Sequence, residues 1–101
     1  VLVIVYSEFG RTPKINHKFG RDHWGASLSV AMGGCGIQPG GVVGSTNAEG
    51  TAVKDREVDG GHLFHTYLQA VGIDSQQNHD IDGRVIPIGD PINGPIEELL
   101  S

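Results

Sequence analysis

Gly20-Arg21-Asp22-His23-Trp24 sets a cation, a carboxylate, an imidazole and an indole side by side. Upstream, Ser7-Glu8-Phe9-Gly10-Arg11 supplies a second carboxylate and a second guanidinium. A carboxylate oxygen joined by an imidazole nitrogen is a donor set that suits zinc, manganese or iron. Arg11 and Arg21 offer planar forks able to meet the oxygens of a phosphate or sulfate in bidentate fashion. The same residues admit a reading without metal, in which Glu8 pairs with Arg11 or Arg21 and Asp22 only orients His23. Residue types alone leave both open.

Other reactive side chains point less clearly to chemistry. His62 and His65, three apart in a helical pattern, could share a face, but flanking Leu63 and Phe64 they read as surface plus partial burial. His79 falls in a polar loop and reads as solvated. Cys35, with no base nearby in sequence, reads as a small packing residue rather than a nucleophile. The glycines around it lack the Lys-Ser/Thr of a phosphate loop, so Gly33 to Gly36 reads as a place where backbone segments approach closely. Trp24 either walls the site or joins the core.

The elements that must position these residues follow from the apolar pattern. Val1 to Tyr6 is a continuous β-branched run, the pattern of a strand buried on both faces. Ser7 to Gly25 is then a long loop holding most of the positive charge, and loops of that length are functional or disordered. It brings Glu8 at one end and His23 at the other back to one sheet edge, where ligands bind in open parallel sheets. Ser27 to Met32 reads as the second strand, parallel to and near the first. Gly40 to Gly44 reads as a short third strand, Ser45 to Gly50 as a turn and Lys54 to Val58 as polar and ambiguous. Asp59 is the expected N-cap of a helix from Gly61 to Val71, with Leu63, Phe64, Tyr67, Leu68 and Val71 as its apolar face and Gly72 as its stop. Asp74 to Asp82 is polar loop, Asp82-Gly83 a turn, and Arg84 to Ile88 a strand. Pro95 opens a terminal helical turn over Ile96 to Leu100.

"YSEFGRTPKIN", "GRDHW", "VKDREV" and "HLFHTYLQAVGID" together resemble the family catalogued as domain of unknown function 1501, from Val1 to about Leu100. That family is similar in turn to the alkaline phosphatase-like, sulfatase-like superfamily. The resemblance implies an α/β fold, an α/β/α sandwich with a mostly parallel sheet, of which residues 1–101 are the C-terminal fragment of a single domain. It implies Glu8 and His23 as metal ligands, Asp22 behind them and Arg11 and Arg21 on the anion. Phe9 stands where a second ligand is the superfamily's pattern. The implied cofactor is a divalent metal, with zinc, manganese and calcium the candidates. The implied function is hydrolysis of phosphate or sulfate esters, on a small molecule or a polysaccharide, with the nucleophile upstream in the same domain. The alternative is a catalytically lapsed relative that binds or assembles on the same scaffold. The resemblance also implies export to the periplasm or beyond.

Composition narrows the partners. Seven Lys and Arg against 12 Asp and Glu give a net charge of −5. That balance, with the cations scattered, argues against a nucleic-acid partner. The longest apolar run, Val1 to Tyr6, is too short to span a bilayer. One cysteine excludes an internal disulfide framework. The abrupt hydrophobic start and the 16 glycines suggest part of a larger domain.

Overall fold

The computed structural model describes all 101 residues, Val1–Ser101. In chain order the elements are β1 (Leu2–Val5), β2 (Gly10–Arg11), β3 (His23–Trp24), β4 (Ala31–Gly34), β5 (Ser45–Thr46), β6 (Val53–Asp55), α1 (Gly60–Ala70), β7 (Asn78–Ile81), β8 (Arg84–Pro87) and a 3-10 turn at Glu97–Leu99. The strands pair two by two, β1 with β4, β2 with β3, β5 with β6 and β7 with β8. The last three pairs are antiparallel.

This overturns the expected α/β/α sandwich. There is no parallel sheet, and one helix of 11 residues cannot cover two sheet faces. A parallel pair needs a crossover of a dozen or more residues, ordinarily a helix. Here β5–β6 and β7–β8 are instead turned back by short loops. Asp82 and Gly83, at φ of 51° and 79°, close the β7–β8 hairpin with the left-handed pair that fits strand twist. Asn47 closes the β5–β6 turn: its backbone N–H reaches the Ala52 carbonyl at 2.9 Å and its side-chain oxygen accepts from Thr51 at 2.9 Å.

The apolar run Val1 to Tyr6 shows why the pattern misled. Leu2 and Ile4 are half-buried while Val1, Val3, Val5 and Tyr6 are exposed. A two-stranded sheet covers one face only, and the pleat sends alternate residues to the other. The second strand also shifts. It is Ala31–Gly34, so the two glycines expected to end it are part of it, and Ser27 to Val30 precede it as coil. Gly40 to Gly44 is not a strand, whereas Ser45–Thr46 and Val53–Asp55 are.

The chain divides into two compact units. One holds Val1–Val3, Gly33–Val42 and Val58–Ser101; the other holds Ile4–Met32 and Val43–Glu57. In the first, α1 begins where Asp59 predicts, one residue early. The Asp59 carboxylate accepts from the His62 N–H at 3.2 Å, and His62 Nδ1 accepts from the Asp59 N–H at 3.1 Å. That is a reciprocal cap with histidine at the third helical position. Gly72, at φ 90°, ends the helix as expected. The buried face differs from the expected one. Phe64 and Val71 are exposed, and His65, Thr66 and Ala70 are buried.

Ile37, Ala70 and Ile96 are this unit's buried apolar side chains. The Thr66 hydroxyl donates to the His62 carbonyl at 2.7 Å and accepts from the Ile96 N–H at 2.8 Å, tying the C-terminal segment to the helix. Gly36 meets the expectation of close approach. Its N–H reaches the Ala70 carbonyl at 2.9 Å, and a Cβ there would stand 3.0 Å from that oxygen. Cys35 departs from the packing role expected of it, being exposed at φ 42°. In the second unit, Trp24 is half-buried and its indole N–H donates to the Thr51 carbonyl at 2.5 Å. No helix is long and apolar enough to cross a membrane.

Candidate functional site

The pairing of β2 with β3 assembles the site. Gly10 faces Trp24 and Arg11 faces His23, so residues near the two ends of the long loop become neighbours. The loop between them is stapled from both sides. Thr12 N–H donates to the Asp22 carbonyl at 3.0 Å, and the Asp22 N–H returns to the Thr12 hydroxyl at 3.1 Å. The Arg11 guanidinium donates to the Arg21 carbonyl at 3.1 Å, and Arg21 donates to the Thr12 carbonyl at 2.9 Å and to that of Pro13. A hairpin therefore holds these residues, in place of the carboxyl edge of a parallel sheet.

Three side chains gather at the base of the hairpin. The imidazole of His23 stacks on the Phe9 ring, centroids 3.7 Å apart and planes 22° from parallel. The Arg11 guanidinium carbon lies 5.5 Å from the Phe9 centroid, within reach of the negative face of the ring. Ser7 fixes the approach of Phe9 by donating its hydroxyl to the Phe9 carbonyl at 2.7 Å. Tyr6, Ser7, Glu8, Phe9 and Arg11 line a shallow depression.

Glu8 opens on that depression and is exposed, and no ion pair joins it to His23. The imidazole nitrogens of His23 make no hydrogen bond. The Asp22 carboxylate accepts from Asn16 Nδ2 at 3.0 Å, not from His23. Each arginine spends one terminal nitrogen on backbone carbonyls and keeps the rest of its fork free. No group of three or more His, Cys, Asp or Glu side chains converges here or elsewhere in a way that could hold a metal ion. Glu8 and His23 are donors of the right chemistry for a divalent metal, but the residues present do not complete a site by themselves.

Two arrangements escaped the sequence reading. Asn16 organises the loop tip: its side-chain oxygen accepts from the N–H groups of Lys18 at 2.9 Å and Gly20 at 3.1 Å. Asn is a turn former whose side chain bonds the backbone two residues on, here Lys18, and that signal could have been read. The second is His65, 1 % exposed, with Nδ1 2.7 Å from the Ser75 hydroxyl and Nε2 2.9 Å from the Asp90 carbonyl. A carbonyl only accepts, so in the neutral ring we assign the hydrogen to Nε2, and Ser75 donates to Nδ1. Gly89 lies flat against this ring, where a Cβ would stand 2.6 Å from Cε1. His65 is thus a packed, doubly bonded core group, His62 is a helix cap, and His79 is an exposed residue of β7. The Asp59 carboxyl is held below its ordinary value, first by the His62 backbone N–H and then by the His62 side chain.

A profile of the family described as Protein of unknown function (DUF1501) matches residues 1–100. No curated protein and no solved structure matches the chain.

Proposed function

The chain belongs to the DUF1501 family, and from that premise we propose that its β2–β3 head is part of the active site of a metal-dependent hydrolase of phosphate or sulfate esters. The observation that carries the reading is the β2–β3 pairing, which sets His23 against Phe9 and Arg11 with its ring nitrogens unbonded. Glu8 and His23 are the two donors this chain offers a divalent metal. Arg11 and Arg21 offer their remaining N–H groups to the ester's anionic oxygens, and the tethered Asp22 holds the turn in which His23 begins. The other metal donors and the nucleophile come from polypeptide outside these 101 residues. When bound, the metal supplies Lewis-acid polarisation of the ester oxygen. The resemblance of the motifs to sulfatase-like proteins supports the reaction class through residue types alone.

A second reading has its own support. Phe9 occupies one face of His23 and no third donor is present, as suits a lapsed relative that binds esters without cleaving them. One variant separates the two. In the full-length protein, His23→Ala lowers metal content and turnover of an aryl phosphate or sulfate together, by tenfold or more. Unchanged metal content with weakened ester binding defeats the hydrolase reading and leaves the binding one.

A further inference from the structure

The long loop has a feature that ester chemistry does not use. The loop from Ser7 to Gly25 contains Arg11, Lys14, Lys18 and Arg21 against Glu8 and Asp22, a net charge of +2, with the Asp22 carboxylate bonded to Asn16. The rest of the chain holds the other 3 cations and 10 of the 12 acids, a net charge of −7. At the tip of this basic loop Phe19 is 94 % exposed and Ile15 55 % exposed. Phe19 sits at φ 62°, a conformation that side chains other than glycine's rarely adopt.

The backbone that carries the exposed ring is held in place. Asn16 N–H donates to the Gly20 carbonyl at 2.7 Å, Phe19 N–H to the Asn16 carbonyl at 3.1 Å, and the Asn16 side chain takes the Lys18 and Gly20 amides. These bonds close residues 16–20 into a small turn, strained in the backbone at Phe19 and with its phenyl exposed. Strained backbone beneath a solvent-exposed aromatic is a feature of binding sites.

We propose that the tip Lys14–Phe19 docks on an anionic lipid bilayer surface. Phe19 and Ile15 carry no hydrogen-bonding group, and both can enter the acyl boundary. Lys14 and Lys18, each directly preceding one of the two apolar side chains, place ammonium groups at headgroup level. Their charge is attracted to anionic lipid. With two apolar anchors the binding is weak, reversible and sensitive to salt. This proposal is independent of the ester-hydrolase reading.

The test is sedimentation of the intact chain with vesicles of phosphatidylglycerol and phosphatidylcholine, beside vesicles of phosphatidylcholine alone. The expected result is binding to the anionic vesicles only, lost at about 0.5 M salt, where screening is nearly complete within a few ångströms. Phe19→Gly should weaken it tenfold or more while leaving the melting temperature equal or raised, because glycine accepts the left-handed backbone. Lys14→Ala with Lys18→Ala should weaken it as well. Three results would overturn the proposal: full binding by Phe19→Gly, equal binding to uncharged vesicles, or a melting temperature that falls by several degrees in Phe19→Gly. Displacement from vesicles by dextran sulfate, with the same affinity for Phe19→Gly, would assign the loop to a soluble polyanion and also defeat it.

Discussion

His65 and Ser75 offer the sharpest test of which histidines are structural. Replacing His65 with Ala removes two hydrogen bonds, a buried one to Ser75 and a part-buried one to the Asp90 carbonyl. Each is worth about 1 kcal/mol net, and the stranded carbonyl adds about 1 kcal/mol more. The void under Gly89 contributes about a further 1 kcal/mol if the loop relaxes only in part. The expected loss is about 3–4 kcal/mol. With a buried apolar core of Ile37, Ala70 and Ile96, that is a large share of the stability a small domain holds. Ser75→Ala is the milder companion. It leaves Nδ1 unpaired and should cost about 1–2 kcal/mol, a fall in melting temperature of about 5–15 °C for a domain of this size. Urea unfolding with an unchanged slope would measure both. A double-mutant cycle should return a coupling near 1 kcal/mol between the pair. A cost below about 1 kcal/mol for His65→Ala, or strict additivity in the cycle, would refute the buried-pair argument.

The cap of α1 predicts an acid effect. A carboxyl held below its ordinary value of 3.8 stabilises the fold fully above that value, and the stabilisation is lost as pH falls through the lower folded value. Helical circular dichroism should therefore decline below pH 3.8 in the native protein and less steeply in Asp59→Asn, which caps without titrating; identical profiles would remove Asp59 from the account. Asn16→Ala should free the Lys18 and Gly20 amides, raising their hydrogen-exchange rates about tenfold at a cost near 1 kcal/mol. Unchanged exchange at both amides would show that the tip closes without Asn16.

Local signals were legible, and long-range pairing was not. Asp59, Gly72 and the Asp82-Gly83 turn act within a few residues of themselves, and each is found where its chemistry places it. Val1 to Tyr6 carries no such information, because an unbroken β-branched run fits a strand with either one face or two covered. Its partner strand decides, and that partner is β4, about thirty residues away. The resemblance to a parallel-sheet superfamily resolved the ambiguity in the wrong direction. Helix α1 shows the same limit on a smaller scale: the apolar positions gave its period and length, but Phe64 and Val71 face solvent while His65 and Thr66 are buried. Polar side chains with complete hydrogen bonding compete for the interior on equal terms, and their partners, at Ser75, Asp90 and Ile96, lie 10 to 30 residues away in sequence.

The candidate site was half legible for a related reason. Glu8, Arg11, Arg21, Asp22 and His23 stand out by type, and type is what sequence displays. Their arrangement depends on two short strands, β2 and β3, of two residues each, too short to leave a periodic trace. The arginines read as anion forks are also the staples of that hairpin, and each keeps part of its fork free. The Arg11 bond to the Arg21 carbonyl is one of several that close the turn leading into His23. Phe9 adjoins both groups, stacked on His23 and with the Arg11 guanidinium 5.5 Å from its centroid. A hairpin of this kind is a positioning device first, and whatever chemistry it serves is tuned by how firmly it closes.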